Sequence, residues 1–227
     1  MPRAPFAHPI HACLIDLDGT LVDTLGDFEA ALNAMLAELG LPHIARAQIE
    51  RLVGKGSEHL IRSVLALQGV DAQALYERAW AAYQGAYLSI NGRFSRVYPG
   101  VPEGLRALQA AGLPLVCLTN KPLAFARPLL AAKGLAGFFT HVYGGDSFAR
   151  KKPDPLPLTE ACRALGSAPA CTLMVGDSRN DAEAARAAGC PLALVRYGYN
   201  HGEPIDAVPA AAHLDRLDQL PGWLAPA

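Results

Sequence analysis

The spacing of apolar residues divides the chain into two kinds of segment. Between residues 25 and 93, apolar positions recur three and four apart, which is typical of helices with one buried face. On both sides of this stretch, short apolar runs alternate with helical patterns, as in a parallel sheet covered by helices on both faces. The pattern therefore predicts an α/β core interrupted by an all-helical insert.

The individual elements follow from these patterns and from the residues that bound them. Apolar runs predict the strands of one parallel sheet at 12–15, 114–119, 142–144, 172–176 and 192–195. Helical patterns occur in the insert at 27–39, 47–52, 57–68 and 71–90, and in the core at 101–111, 123–133, 156–165 and 178–188. After Gly198 the chain is rich in proline and glycine, so we expect it to pack over the core with one short helix at most.

These boundaries predict two domains. Residues 1–24 and 94–227 are expected to form the α/β core, and residues 25–93 the helical insert. No strand is expected within the insert. Such an arrangement places a second, smaller body beside the carboxyl end of the first strand.

Composition narrows the class of protein. The chain has 227 residues, is 51% hydrophobic and 18% charged, and carries a formal charge of −1 without a basic run, which argues against a nucleic-acid partner. No apolar run approaches the roughly 20 residues of a membrane span, and the first ten residues lack the apolar segment of a signal peptide. Five cysteines without paired spacing indicate neither disulfides nor a zinc site. We therefore expect a cytoplasmic globular protein without a membrane partner.

The first predicted strand ends in the most informative motif, Asp16-Leu17-Asp18-Gly19-Thr20. Side chains two apart on an extended strand share a face, so Asp16 and Asp18 leave the strand on the same side. Two carboxylates held together repel, and at neutral pH they need a cation, a shared proton or both. Gly19 allows a sharp turn just beyond them. Because turns also use Asp and Gly, this motif alone leaves a structural explanation open.

Polar residues also follow the other predicted strands or lie in the loop between them: Thr119, Asn120, Lys152, Asp177 and Asp181. Ligands of parallel α/β sheets bind outside the carboxyl ends of the strands. Each motif alone could be a helix cap or a solvated lysine. Their occurrence after the right strands, in this order, predicts a phosphate and magnesium site.

This set of residues suits phosphoryl transfer. Asp16 can act as the nucleophile and form an aspartyl-phosphate. Asp18 can protonate the leaving alcohol and then take a proton from the attacking water. Asp16, Asp177 and Asp181 offer an all-oxygen corner that suits Mg²⁺ better than a soft metal.

The remaining residues are candidates for holding the phosphate ester. Thr119, with backbone N–H groups at a helix start, can bind phosphate oxygens. Lys152 can offset the repulsion between the nucleophile and the phosphate. Leu17 and Asn120, which adjoin these groups in sequence, are further candidates for contact with substrate.

In their residues and their order, these motifs resemble those of the haloacid dehalogenase superfamily of phosphohydrolases. The resemblance runs from the first strand nearly to the C-terminus, and implies a Rossmann-like core with a mobile helical cap. It implies that Mg²⁺ is held by Asp16, by the backbone carbonyl of Asp18 and by Asp177, with Asp181 bound directly or through water. Because a cap closes over the site to exclude water, hinges are expected near 24–26 and 92–93.

Within that superfamily, the chain is most similar to the bacterial phosphoglycolate phosphatases, through the segments 22–24, 53–56, 94–101 and 118–122. The similarity implies a small phosphorylated metabolite as substrate, 2-phosphoglycolate, and a monomer or homodimer. In the cap segment 53–56, Lys55 could meet the carboxylate of that substrate. A surface lysine in a flexible loop is the alternative.

Other functions stay open on the sequence alone. A phosphosugar phosphatase or a β-phosphoglucomutase would keep the same core residues. A haloacid dehalogenase would have no use for Asp18, and a phosphonate-cleaving enzyme would need a cap lysine in an apolar pocket. A non-catalytic phosphate-binding protein predicts the loss of Asp16, Asp18 or Lys152, and all three are present.

Overall fold

The structure is a computed structural model that describes residues 6–224. Residues 1–5 and 225–227, which belong to the predicted core, lie outside the described residues. The strands are β1 Ala12–Ile15, β2 Val22–Asp23, β3 Arg96–Val97, β4 Leu115–Leu118, β5 His141–Tyr143, β6 Thr172–Gly176, β7 Leu192–Val195 and β8 Ala212–Leu214. The α-helices of the insert are α1 Leu25–Glu38, α2 Arg46–Glu50, α3 Ser57–Leu67 and α4 Ala72–Ile90. Those of the core are α5 Val101–Ala110, α6 Leu123–Ala132, α7 Leu156–Leu165, α8 Arg179–Ala188 and α9 Leu220–Leu224.

Six parallel strands form the central sheet, in the order β5-β4-β1-β6-β7-β8. Side chains of β1 alternate between two apolar cores, because successive residues of a strand face opposite sides. Cys13 and Ile15 join a core with α5 and α6, while Leu14 joins a core with α7 and α8. The sheet is therefore covered on both faces, which confirms the predicted Rossmann-like α/β fold.

Three strands differ from the prediction. The tail after Gly198 does more than cover the core, because β8 pairs with β7 and extends the sheet by one strand. β2 and β3 pair antiparallel at the two ends of the insert, with Val22 opposite Val97. These strands have two or three residues each, too few to show a period in the sequence.

The insert is a helical body with its own apolar core. Its buried side chains include Phe28, Leu32, Ile61 and Tyr83, and the core contributes Phe125 to the same cluster. The two crossings of the chain are tied together by Asp27, whose carboxylate accepts hydrogen bonds from the backbone N–H groups of Gly92, at 2.9 Å, and Phe94, at 2.7 Å. Within residues 6–224, no helix has the length and apolar character that crossing a membrane requires.

Candidate active site

The carboxyl ends of β1, β4 and β6 bring the predicted residues to one edge of the sheet. Ile15 pairs with Cys117 on one side and with Val175 on the other, so the three strands run in register toward this edge. The side chains that come next along these strands are buried there: Asp16, Thr119 and Asp177. The sequence motifs therefore meet in space as the strand order predicts.

Three buried carboxylates lie together at this edge. One oxygen from each of Asp16, Asp177 and Asp181 lies within 4.8 Å of the others. Lys152 Nζ lies 3.0 Å from Asp16 Oδ2 and 2.7 Å from Asp181 Oδ1, and donates to the carbonyl of Leu118 at 2.8 Å. Because an ammonium has three donor hydrogens, these three acceptors engage Lys152 completely.

Burial and mutual repulsion oppose ionisation of the carboxylates. Burial raises the pKa of Asp16 to about 7, against the opposing effect of Lys152 and with a smaller contribution from Asp181. Burial, followed by the charges of Asp181 and Asp16, raises the pKa of Asp177 well above its ordinary value. Burial lowers the pKa of Lys152, but the two neighbouring carboxylates outweigh it and raise that pKa.

This donor set fits a hard divalent cation. Three carboxylates and one ammonium leave a net charge of −2 when every group is ionised. Carboxylate oxygens are the ligands that hard cations prefer. A cation held by Asp16, Asp177 and Asp181 would relieve the repulsion that raises the pKa values of Asp16 and Asp177.

Hydrogen bonds fix the orientation of the two carboxylates after β6. Asp177 accepts from the hydroxyl of Thr20 and from the backbone N–H of Tyr199, both at 2.6 Å. Asp181 Oδ2 accepts from the backbone N–H of Ser178 at 3.1 Å and from its hydroxyl at 2.7 Å. These hydrogen bonds hold both side chains in place.

Gly19 permits the turn after β1 to approach the loop after β6. Its φ is +85°, and a Cβ at this position would lie 2.3 Å from Asp177 Oδ2. Any other residue would be strained at this φ and would collide with a carboxylate of the site. The glycine is therefore required by the packing of the site as well as by the turn.

Asp18 stands apart from the acidic cluster and pairs with a different lysine. Its two carboxylate oxygens accept hydrogen bonds from Lys121 Nζ at 3.0 and 3.2 Å. The Lys121 side chain is only 1% exposed. Its ammonium lies 4.5 Å from the ring centre of Phe28 and 4.6 Å from that of Tyr87, within the range of cation–π attraction.

Asn120 joins the core to a loop of the insert. Its Nδ2 donates to the carbonyl of Gly54 at 2.9 Å and to that of Lys152 at 2.8 Å. Nδ2 of Asn180 donates to the same Gly54 carbonyl at 3.3 Å. The insert is thus bonded directly to the carboxyl edge of the sheet. Beside this contact, the hydroxyl of Thr119 accepts from the backbone N–H two residues later at 3.2 Å.

A small, largely enclosed cavity of about 20 Å³, here called the closed cavity, lies between the core and the insert. Its lining comprises Asp16, Asp18, Thr119, Asn120 and Lys121 from the core and Phe28, Val53, Gly54, Gly56, Ser57 and Leu60 from the insert. A space of this size holds roughly one water molecule. Leu17 does not line this cavity: its side chain is buried in the core, and its backbone N–H donates to Asp16 Oδ1 at 2.7 Å.

Lys55 also lies outside the closed cavity. It is exposed and lines a wider open cleft of about 1270 Å³, together with His59, Arg62, Lys151 and His201. The structure therefore brings together the core residues predicted for the site, whereas Lys55 is at the rim. Its contact with a substrate carboxylate stays a prediction.

Lys121 and Tyr199 belong to the site, although the sequence motifs do not predict them. Lys121 directly follows the Thr119-Asn120 pair, and this position is the one feature of the sequence that could have indicated a place in the site. Tyr199 lies in the tail, without a motif around it. The backbone N–H of Tyr199 donates to Asp177, and its hydroxyl accepts from the backbone N–H of Thr24 at 3.0 Å.

Comparison with known proteins agrees with this geometry. The family model described as haloacid dehalogenase-like hydrolase matches residues 10–189. The chain is 46% identical over 203 residues to a protein named phosphoglycolate phosphatase from Thiobacillus denitrificans, covering 88% of this chain and 89% of that protein. A plasmid-encoded phosphoglycolate phosphatase of Cupriavidus necator is 45% identical over 219 residues, with 96% and 95% of the two chains covered.

Solved structures have the same fold over nearly the whole chain. A predicted phosphoglycolate phosphatase from Haemophilus somnus has a TM-score of 0.90 and 31% identity, covering 94% of this chain and 97% of that one. CbbY from Rhodobacter sphaeroides, in complex with phosphate, has a TM-score of 0.80 and 27% identity, covering 93% and 96%. Since the family model spans most of the chain and both sequence relatives exceed 40% identity, the resemblance inferred from the motifs is confirmed. The chain belongs to the haloacid dehalogenase-like hydrolases and is an enzyme of the phosphatase class.

Proposed function

We propose that this enzyme hydrolyses 2-phosphoglycolate to glycolate and phosphate. The sequence relatives named phosphoglycolate phosphatase, which align with nearly the whole chain, support this substrate. The substrate is a small ester that carries a carboxylate beside the phosphate. An enclosed site suits such a compact molecule better than a long one.

In the proposed reaction, Asp16 attacks phosphorus and Asp18 transfers the protons. A carboxylate oxygen of Asp16 attacks phosphorus, the bond to the ester oxygen breaks, and Asp18 gives that oxygen a proton as glycolate leaves. Asp18 then removes a proton from water, whose oxygen attacks the aspartyl-phosphate and releases phosphate. Lys152 holds Asp16 in place, and Thr119 is a candidate contact for the phosphate oxygens.

We propose Mg²⁺ as the cation of the acidic cluster. Asp16 and Asp177 would bind it with the backbone carbonyl of Asp18, and Asp181 would bind it directly or through water. Bound there, Mg²⁺ would neutralise charge shared by the nucleophile and the phosphate. Lys152 and the hydrogen bonds to Asp177 and Asp181 hold the carboxylates ready for it.

The proposed phosphatase reaction rests on the different surroundings of Asp16 and Asp18. Asp16 is fixed among two carboxylates and a saturated lysine, whereas Asp18 lines the same cavity outside that cluster. Two carboxylates in contrasting environments can divide the nucleophilic and acid–base roles between them. A merely structural turn would not need either environment.

We also propose that residues 25–93 act as a cap that opens to admit substrate. The closed cavity of about 20 Å³ is far smaller than a phosphate ester, so entry requires the insert to move. The crossings near 24–26 and 92–93 are the proposed hinges. Closure would then exclude bulk water while the aspartyl-phosphate exists.

Replacement of the nucleophile tests the reaction. Asp16→Asn is expected to lower kcat on phosphoglycolate by at least about 1,000-fold, because the amide cannot form the acyl-phosphate. Circular dichroism should show an intact fold, and mass spectrometry of quenched wild-type enzyme should find the phosphate on Asp16. The exposed Asp206→Asn variant is the control and should keep full activity. Unchanged kcat in Asp16→Asn would remove the nucleophile assignment.

A phosphosugar phosphatase is the second candidate. CbbY of Rhodobacter sphaeroides, similar over nearly the whole chain, has been solved with a xylulose bisphosphate. A panel of phosphoglycolate, hexose phosphates and pentose bisphosphates, assayed for released phosphate with and without Mg²⁺, separates the two. The highest kcat/KM on a sugar phosphate would replace the proposed substrate while leaving the phosphatase chemistry in place.

A further inference from the structure

The closed cavity offers a substrate one cation among the residues that line it. Its charged lining residues are Asp16, Asp18 and Lys121. Lys152 belongs instead to the wall of the open cleft, and its three donor hydrogens are taken by Asp16, Asp181 and the carbonyl of Leu118. Lys152 is therefore occupied with the acidic cluster.

Lys121 is less fully engaged. The hydrogen-bond acceptors of its ammonium within residues 6–224 are the two oxygens of Asp18. The rings of Phe28 and Tyr87, which lie beside the ammonium, attract a cation without taking up its donor hydrogens. A donor hydrogen of Lys121 is thus available to a second anion.

The chemistry of the reaction places that anion next to Lys121. Asp18 is the group proposed to protonate the ester oxygen, and Lys121 Nζ lies 3.0 Å from its carboxylate. In phosphoglycolate, the carboxylate carbon is two bonds from that ester oxygen. A leaving group within reach of Asp18 therefore has its carboxylate within reach of Lys121.

The surroundings strengthen such a contact. The Lys121 side chain is 1% exposed, and the cavity wall includes the apolar side chains of Phe28, Val53 and Leu60. Charge pairs in a poorly solvated site are stronger than those in water. The first residue of helix α3, Ser57, also lines the cavity, so the positive end of that helix dipole adds to the attraction for an anion.

We propose that Lys121 binds the carboxylate of the leaving group and determines selectivity for carboxylate-bearing phosphate esters. This inference rests on the proposed function. It assigns to Lys121 the role that the sequence suggested for Lys55, whose side chain is exposed at the open cleft. Solvent screens a charge at that rim, which limits its power to discriminate between substrates.

The test compares phosphoglycolate with ethyl phosphate, which has a methyl group in place of the carboxylate. Lys121→Gln is expected to lower the ratio of the two kcat/KM values by about 50-fold, since a buried charge-assisted contact is lost for one substrate alone. Any disturbance of Asp18 affects both substrates and cancels in the ratio. Lys151→Gln, a half-buried lysine at the open cleft, is the matched control and should keep the wild-type ratio.

Each outcome bears on the proposal. An unchanged ratio in Lys121→Gln, or a fall in Lys55→Gln instead, would overturn it. If Lys121→Gln does not fold, Lys121→Met, whose apolar side chain suits the two aromatic rings, gives the same comparison. Wild-type enzyme that cleaves ethyl phosphate but not phosphoglycolate would refute the proposed substrate, which is a different result from loss of the Lys121 effect.

Discussion

Two buried lysines divide the charged residues of the site into two groups. Lys152 binds Asp16 and Asp181 and keeps a cluster of like charges together. Among the described residues, the carboxylate paired with Lys121 is that of Asp18, and the Lys121 ammonium lies against two aromatic rings. A buried ion pair adds little net stability when whole, but removing one partner leaves a charge that is costly to bury. Loss of Lys152 would leave two carboxylates without their counter-charge and loss of Lys121 would leave one, so the two losses should differ in their effect on stability.

Lys152→Met should destabilise the metal-free protein. Two buried carboxylates lose their counter-charge, so the free energy of unfolding is expected to fall by about 3 kcal/mol. Urea unfolding at neutral pH in the presence of a chelator measures the change. Lys151→Met, beside it in sequence and half-buried, should stay within about 0.5 kcal/mol of wild type. Equal effects of the two substitutions would contradict the structural role of Lys152.

Local spacing explains which site residues could be predicted. Asp16 and Asp18 share a face because they are two apart at a strand end, and this follows from the sequence alone. Lys121 contacts Asp18 across 103 positions of chain, and nothing in its own neighbourhood indicates that partner. Lys55 was predicted from its glycine-flanked loop, but how far it lies from the closed cavity depends on the packing of the insert.

Helices of several turns and strands with a continuous buried apolar run could be predicted from the sequence. Helix α3 and strand β6 match their expected positions to within one residue because their apolar periods are complete. β2 and β3 are defined by pairing with each other across the whole insert, and β8 by pairing with β7, where Ala212 lies opposite Ala193. Such short strands exist only once the rest of the fold has formed, so no local pattern marks them.

At the first crossing between core and insert, packing leaves no room for a side chain at Gly26. A Cβ on Gly26, in the first turn of α1, would lie 2.4 Å from the carbonyl oxygen of Phe94. Gly26→Ala is therefore expected to cost about 1–3 kcal/mol in thermal unfolding, through displaced backbone. In contrast, Gly85 of α4 has open space around its Cβ position, and Gly85→Ala should stabilise by up to about 1 kcal/mol. Stabilisation by both substitutions would show that Gly26 is not tightly packed against Phe94 at the first crossing.

At the scale of the whole molecule, the insert and the core are joined through the site itself. Gly54 accepts hydrogen bonds from Asn120 and Asn180, and Phe125 of the core packs with Tyr83 and Tyr87 of the insert. Asn120, a candidate contact for substrate, therefore also holds the insert against the core. Binding and closure should be thermodynamically coupled, because a ligand that replaces these contacts alters the balance between open and closed forms.

The acidic cluster couples the stability of the whole protein to pH and to metal. Burial raises the pKa of Asp16 to about 7, and the pKa of Asp177 is also raised, so the folded state binds protons more tightly than the unfolded state. In metal-free protein, the stability from the Asp16 proton is complete below about pH 4 and is lost as the pH rises through about 7. Mg²⁺ competes with protons for the same oxygens, so its stabilising effect should grow over that window.

We expect the competition between protons and Mg²⁺ to make the effect of the metal on Tm depend on pH. At about 100 times its Kd, Mg²⁺ should stabilise by about 2.7 kcal/mol near pH 8, a rise of about 5–10 °C in Tm over protein in chelator. Near pH 5 the rise should be much smaller, because protons hold the carboxylate oxygens. Sodium chloride at matched ionic strength controls for screening, and Asp177→Asn should remove most of the response by deleting one ligand. A metal response of equal size at both pH values would show that protons and metal do not share the cluster of Asp16, Asp177 and Asp181.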